Sequence, residues 1–288
     1  MVESVLALDL EEALDRLRRR SGEMRDRWAT SEPFRHVIVE DFLPRDFAEA
    51  IYDRYPRPEA GGWENTTYVH QRKKLTMRSG FPSAIDAFFR LAADPRFLDM
   101  LTDITGIPAL QTDPDLVGGG LHQILRGGFL DLHVDYNLHP RTKLHRRLNL
   151  LLYMNKDWKS EYQGDFELWD FEGPPRRIAK IAPAFNRAVM FEMSEISYHG
   201  HPEPLATPRH VTRKSLALYY YSVESVDGAP EHNSLYRRSI GTGALLRHAI
   251  SASEAAIQRL RAGGPGRVAR DLVSKLGRRV RGLPPVNR

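Results

Sequence analysis

His133-Val134-Asp135 is the sharpest chemical signal in this chain. Successive strand side chains point to opposite faces, so an imidazole and a carboxylate two positions apart leave the same face about 7 Å apart. The run Phe129-Leu-Asp-Leu-His-Val-Asp135 alternates, which puts Asp131, His133 and Asp135 on one side and Leu130, Leu132 and Val134 on the other. Such a pair makes two legs of a metal site, though a lone His-x-Asp also describes an ordinary hydrogen-bonded strand pair. Non-haem Fe(II) is held by two imidazoles and one carboxylate on one octahedral face, with the other positions open. Ser197-Tyr-His199-Gly-His201-Pro202 offers two candidates for the missing imidazole, and their shared parity cannot separate them.

A guanidinium follows downstream. In Arg213-Lys-Ser-Leu-Ala-Leu-Tyr-Tyr-Tyr221, alternation places Arg213, Ser215, Ala217 and Tyr219 on one face. An arginine turned into a barrel is costly unless it meets an anion, and a carboxylate fits its fork. An internal salt bridge with a core acid would satisfy it equally well. On the strand at 147–154, Arg147, Asn149, Leu151 and Tyr153 share a face, so the Tyr153 phenol could reach the same cavity.

These residues need a scaffold, and the chain patterns one. Residues 3–20 place Val5, Leu6, Leu10, Leu14 and Leu17 on a helical stripe; 34–43 reads as a strand and 45–54 as a helix. Residues 83–105 are helical again, split at Pro95. Beyond Gly106 come candidate strands at 121–125, 129–135, 147–154, 165–170, 177–181, 187–192 and 213–223. Short strands at that spacing after a helical block predict a sandwich or barrel with helices packed outside. Helix returns over 251–282, interrupted by Gly263-Gly264-Pro265-Gly266.

The ordered set His-x-Asp, a distal His, then Arg-x-Ser opening the last strand resembles the 2-oxoglutarate/Fe(II)-dependent dioxygenases of the prolyl-hydroxylase branch. Arg147-Leu-Asn-Leu-Leu-Leu-Tyr-Met-Asn-Lys-Asp-Trp158, with Gly164 after it, is similar to the strand and loop of the hypoxia-factor prolyl hydroxylases. Gly118-Gly-Gly-Leu-His122, Arg126-Gly-Gly128 and His-Val-Asp-Tyr-Asn137 look more like bacterial members. The likeness covers about residues 118–223.

The resemblance implies an α+β, mainly β fold: a double-stranded β-helix (a cupin-like jelly roll), with flanking N-terminal helices and a C-terminal helical tail. It divides the chain into an N-terminal helical extension at 1–32, an oxygenase domain at 33–230 with its jelly-roll core at about 118–223, and a basic helical tail at 231–288. It makes His133, Asp135 and His199 the iron ligands, ahead of His201. Arg213 would hold 2-oxoglutarate, with Ser215, Tyr153 and Asn149 beside it. Arg213 follows His199 by fourteen positions, a wider gap than the family's usual one, and Arg209 stands nearer the usual spacing. The strand, its parity and the serine favour Arg213.

The implied cofactors are Fe(II), the cosubstrate 2-oxoglutarate and O2, with ascorbate as a further candidate. The implied activity is hydroxylation of an unactivated C–H bond of a small-molecule, sugar or peptidyl substrate, giving succinate and CO2. Asp135 favours hydroxylation over halogenation, since related halogenases lack this carboxylate. A non-catalytic jelly-roll binding protein is the alternative from another class. His122 and Gln123 could line the pocket, and the loop from Tyr136 to His145 could cover it. So could the polar stretch with Trp63, Tyr68, Lys73, Lys74 and Arg78. His36, His70, His210, His232 and His248 read as packed or surface histidines.

Composition narrows the remainder. The 288 residues are 41% hydrophobic and 27% charged, a globular mix, and contain no cysteine, so disulfides and thiolate chemistry are excluded. The absence of cysteine, of a basic leader and of a long apolar run makes a cytoplasmic location the expectation. The formal charge is +5, but nine basic residues and one acid between 259 and 288 carry +8, leaving residues 1–258 at −3. There is therefore no firm nucleic-acid signal across the body. Residues 266–283 form a basic amphipathic pattern suited to a peripheral membrane surface or an acidic partner. Oligomeric state is not legible in the chain.

Overall fold

The computed structural model describes residues 2–225, 228, 230–237, 249–254 and 257. Four helices come early: α1 (Val2–Thr30), α2 (Arg45–Asp53), α3 (Ser83–Ala93) and α4 (Pro95–Thr105). Between them lie β1 (His36–Val39) and a hairpin, β2 (Glu64–Tyr68) with β3 (Gln71–Met77). After β4 (Gln111–Thr112) come β5 (Gly120–Val134), β6 (His145–Tyr153), β7 (Phe166–Asp170), β8 (Arg176–Ile181), β9 (Arg187–Glu192), β10 (Tyr198–His201) and β11 (Arg213–Ser222). A short β12 (Leu235–Tyr236) closes the set. Pro95 separates α3 from α4 as expected. Asp94 caps α4 by accepting from the Arg96 N–H (2.8 Å), and Gly106 ends it at φ 73°.

The strands form an antiparallel jelly roll. One layer runs β1-β9-β6-β11-β5-β3; the other runs β8-β7-β10-β5 and ends on β12. β5 belongs to both. Its first half (Gly120–Ile124) pairs with β11, and its second half pairs with β10 through Leu130 and His133. Arg126-Gly-Gly128 is therefore a bend within one continuous strand rather than a turn between two. Gly127 takes φ 77°, and a Cβ on Gly128 would sit 2.6 Å from Ile124 Cγ2 and 2.7 Å from the Arg72 carbonyl. Glycine is needed at Gly128 because the neighbouring chain passes too close for any side chain.

Alternation decides what each face meets. Leu148, Leu150 and Leu152 of β6, with Leu216, Leu218 and Tyr220 of β11, pack outward under the four helices. The helices contribute Leu14, Leu17, Phe47, Ile51, Phe88 and Leu101 to that core. The opposite faces of β6 and β11 look inward to a cavity. A second cluster, including Val134, Phe166, Leu168, Val189 and Phe191, fills the space between the layers.

The β2–β3 hairpin is absent from the sequence-based expectation, which left 63–78 as a polar covering stretch. One face of the hairpin is polar and meets the cavity, and on the other the buried Leu75 and Met77 stand beside polar Asn65, Thr67 and Lys73, so only the end of β3 carries an apolar signal. β10 and β12 are too short to show a period. Of the helix expected over 251–282, residues 251–254 are helical; the tail at 266–283 and His248 lie outside the described residues. No helix among the described residues is long and apolar enough to cross a membrane.

Candidate active site

His133 and Asp135 leave the end of β5, and β10 lays His199 directly across from His133. The Nε2 of His133 is 3.3 Å from Asp135 Oδ1, and the Nε2 of His199 is 3.3 Å from Oδ2. One ligating atom from each residue lies within 4.8 Å of the others, with all three side chains enclosed. His133 Nδ1 donates to the Asp131 carbonyl and His199 Nδ1 to the Ser197 carbonyl, both at 2.9 Å. A carbonyl can only accept, so each Nδ1 carries its proton and each Nε2, the atom that ligates when unprotonated, is turned toward the carboxylate. When both are unprotonated, two lone pairs and a carboxylate facing one another repel unless a cation sits among them. This donor set fits a divalent metal, with the backbone carbonyls fixing ring orientation as in established histidine metal sites.

Asp135 is tied from behind. Arg146 Nη2 donates to Oδ2 at 2.7 Å and Asn149 Nδ2 at 3.0 Å, while Arg146 Nε donates to Asn149 Oδ1 at 2.8 Å. Burial alone would raise the Asp135 pKa. The Arg146 guanidinium is the chief opposing influence, and the carboxyl lies well below its usual range. Arg146 lies under the Tyr219 ring, 3.3 Å from its centroid, with Tyr136 on the same cation at 5.0 Å. Burial, then the neighbouring His133, pulls the His199 pKa down. Phe191 and Phe166 wall that ring at 4.5 and 5.7 Å.

The cavity encloses about 360 Å³. All seven residues to which the sequence assigned metal or cosubstrate binding border it: His133, Asp135, His199, Arg213, Ser215, Tyr153 and Asn149; of the two further pocket candidates, His122 borders it and Gln123 does not. Arg213 is buried; its Nε donates to the Gly164 carbonyl (2.8 Å) and its Nη2 to the Tyr153 hydroxyl (3.3 Å). No carboxylate among the described residues pairs with it, so the internal salt bridge that could have satisfied it does not form. Arg209 is exposed and borders a separate surface depression with Lys73 and Arg126. The Asn149 amide is engaged by Asp135 and Arg146 rather than left free for a ligand.

Several positions differ from strict alternation. His199 faces His133 but His201 faces Leu130, so Asp131 and Leu132 of β5 stand against Gly200 alone of β10. That bulge turns Leu130 into the cavity and drops Asp131 out of it, where it accepts from His70 Nδ1 (3.0 Å). His201 borders the same cavity, with Nδ1 buried and lacking a hydrogen-bond partner among the described residues. A register slip of β6 against Tyr220 and Tyr221 brings Arg146, not Arg147, to the inner face. Within the polar stretch, Tyr68, Lys74 and Arg78 reach the cavity, while Trp63 and Lys73 do not.

Arg146, Gln71 and Tyr236 were missed. Tyr236 arrives from β12, pairs across from His133, stacks on its ring at 5.1 Å and on His70 at 4.2 Å, and shares a hydrogen with Tyr68 (2.5 Å). A two-residue strand after a long irregular stretch leaves no sequence signal.

Residues 119–221 match the 2OG-Fe(II) oxygenase superfamily. The mouse protein named prolyl 3-hydroxylase OGFOD1 is 24% identical over 194 residues, covering 66% of this chain and 33% of the mouse protein. The chain thus spans about a third of the length of that curated relative. Among solved structures, a Pseudomonas putida prolyl-4-hydroxylase aligns at TM-score 0.50 and 18% identity, over 70% of this chain and 99% of the other. A prolyl hydroxylase from Trichoplax adhaerens, solved with a hypoxia inducible factor peptide fragment, aligns at TM-score 0.52 and 17% identity, over 73% and 92%. A Phytophthora capsici prolyl 4-hydroxylase gives TM-score 0.52 and 17% identity, over 91% and 90%. At these identities the structural likeness speaks to the fold.

Proposed function

We propose that this chain, a prolyl-hydroxylase-like 2OG-Fe(II) oxygenase, hydroxylates an unactivated C–H bond at the cavity between its two strand layers, with 2-oxoglutarate converted to succinate and CO2. The observation carrying this reading is the mutual approach of His133 Nε2, His199 Nε2 and an Asp135 oxygen, with both Nδ1 protons committed to backbone carbonyls.

His133, Asp135 and His199 would hold Fe(II), and the bound iron with 2-oxoglutarate and O2 supplies the oxidising power. The residues of the chain do the positioning. Arg146 and Asn149 keep Asp135 ionised and fixed in orientation. Arg213, buried without a carboxylate partner, receives the distal carboxylate of 2-oxoglutarate, with the Tyr153 hydroxyl beside it and Ser215 on the same face. Burial pushes the Tyr153 phenol pKa up, so it stays protonated and can donate to that carboxylate. Phe166, Phe191 and Leu151 give the cavity an apolar wall that limits water near the reacting centre.

The Trichoplax adhaerens prolyl hydroxylase, solved with a peptide fragment, puts peptides in the substrate panel for this chain beside small molecules and sugars. Aerobic incubation with Fe(II), 2-oxoglutarate and a substrate panel tests the proposal. The expected result is succinate formation coupled to the gain of one oxygen atom by a panel member. No succinate under any condition, with iron demonstrably bound, would point instead to a non-catalytic binding protein.

A further inference from the structure

Inside the cavity the formal charges pair off, with two exceptions. Asp135 pairs with Arg146, and Glu64 at the rim pairs with Arg78, each at 2.7 Å. Arg213 and Lys74 are left, and neither has a carboxylate partner among the described residues. An Fe(II) dication and a 2-oxoglutarate dianion cancel each other in charge. Two positive charges therefore remain within one partly closed space, and that is costly unless a further anion enters.

The sheet register fixes where the second cation stands. Arg213 lies opposite Ile124, and Ile124 lies opposite Lys74, so the three form one row across β11, β5 and β3. Ser215, His122 and Thr76 form the next row on the same face, and all six border the cavity. Two strand spacings separate the Arg213 and Lys74 backbones by about 10 Å. Lys74 owes its inward position to a slip in β3. Lys73 takes φ 53° at the bulge and turns its ammonium outward to the Arg126 carbonyl (3.1 Å). The next residue then faces in.

The two cations are not built as one clamp. Arg213 is drawn toward Tyr153 on β6, the neighbour of β11 on the side away from β5. Lys74 lies on the far side of β5, in the field of Asp135, Arg146 and Arg213. Next to it in the cavity are Thr76, His122 and His201, the last with a buried Nδ1 that nothing among the described residues satisfies. Burial pulls the Lys74 pKa down to about 8, partly offset by Asp135, which still leaves the ammonium charged at neutral pH.

We propose that Lys74 is the anchor for an anionic group of the primary substrate, a carboxylate or a phosphate, bound together with 2-oxoglutarate but at a point separate from Arg213. This rests on the oxygenase reading above. It narrows the substrate class to acids that place an oxidisable C–H bond near their charged group.

The test uses the full chain loaded with Mn(II) and saturated with 2-oxoglutarate, and follows the melting temperature. Sodium acetate, inorganic phosphate and neutral acetamide are titrated at constant ionic strength. The expected result is a saturable rise with acetate or phosphate and none with acetamide; whichever anion acts names the substrate's group. Lys74→Gln should weaken that response about tenfold or more, Lys74→Arg should restore it, and calorimetric affinity for 2-oxoglutarate should stay near wild type in both. Equal anion responses in wild type and Lys74→Gln would overturn the inference. So would a loss of 2-oxoglutarate affinity in Lys74→Gln as large as in Arg213→Ala, since Lys74 would then serve the cosubstrate. A wild-type chain that takes up no 2-oxoglutarate would overturn the parent reading, and this inference with it.

Discussion

Arg146 Nη2 lies 2.7 Å from Asp135 Oδ2, a fully enclosed guanidinium braced against the one carboxylate of the candidate metal centre. Removing one partner of a buried pair leaves a charge without compensation, at a cost of about 3–5 kcal/mol. Arg146→Met should therefore lower stability by that order in urea denaturation without metal. It should also raise the Asp135 pKa, so metal is lost at a higher pH than in wild type. Calorimetric Mn(II) affinity measured across pH 5 to 8 checks this, and a profile superimposable on wild type would refute the role given to Arg146.

His133→Ala and Asp135→Ala should each abolish coupled turnover and weaken metal binding severely, with far-ultraviolet circular dichroism unchanged. His201→Ala should leave metal bound, because His199 rather than His201 closes on Asp135. Metal content after gel filtration separates the two histidines.

Arg213→Ala should raise the apparent KM for 2-oxoglutarate roughly ten- to a hundredfold, the range for losing charge-assisted hydrogen bonds. Arg209→Ala should leave it unchanged, since that side chain sits in a different depression. Steady-state succinate formation with varied 2-oxoglutarate decides between them.

Lys74 gives a pH signature in the metal-free protein. Its pKa is pulled from 10.5 to about 8, so between those values the unfolded chain binds more protons and stability rises with pH. Lys74→Met removes this cost. The variant should be more stable than wild type at pH 7, by about 3 kcal/mol at most, and the gap should close as pH approaches 10. Chemical denaturation at the two pH values measures it. A constant gap would show that Lys74 does not titrate as placed.

Gly128→Ala tests the bend of β5. Its Cβ would press on Ile124 and two backbone carbonyls, one of Arg72 and one of Leu125, so a loss of about 1–3 kcal/mol is expected. Because the same bend aims His133, metal affinity should fall with it. Gly61→Ala, where a Cβ meets nothing within 4 Å, is the matched control for exposed positions.

What the sequence determined by itself follows from period two. Alternation sent Leu148, Leu150 and Leu152 to the helices and Asn149, Leu151 and Tyr153 to the cavity. It likewise aligned Arg213 with Ser215, and the ordered motifs single out the three candidate metal ligands and the candidate anion-binding arginine. Tertiary structure decided what alternation cannot carry. Bulges in β5 between Leu130 and His133, in β6 opposite Tyr220 and Tyr221, and in β3 at Lys73 each add one residue to a strand and so exchange its faces. They took Asp131 out of the cavity and brought Arg146 and Lys74 in, while closure on Asp135 separated His199 from His201, which parity alone could not. A bulge depends on the length of the partner strand, which is a long-range property of the fold. The β2–β3 hairpin and Tyr236 were silent for a related reason: they are held by pairing to β5 and by a polar cavity, and neither leaves a hydrophobic period in the chain.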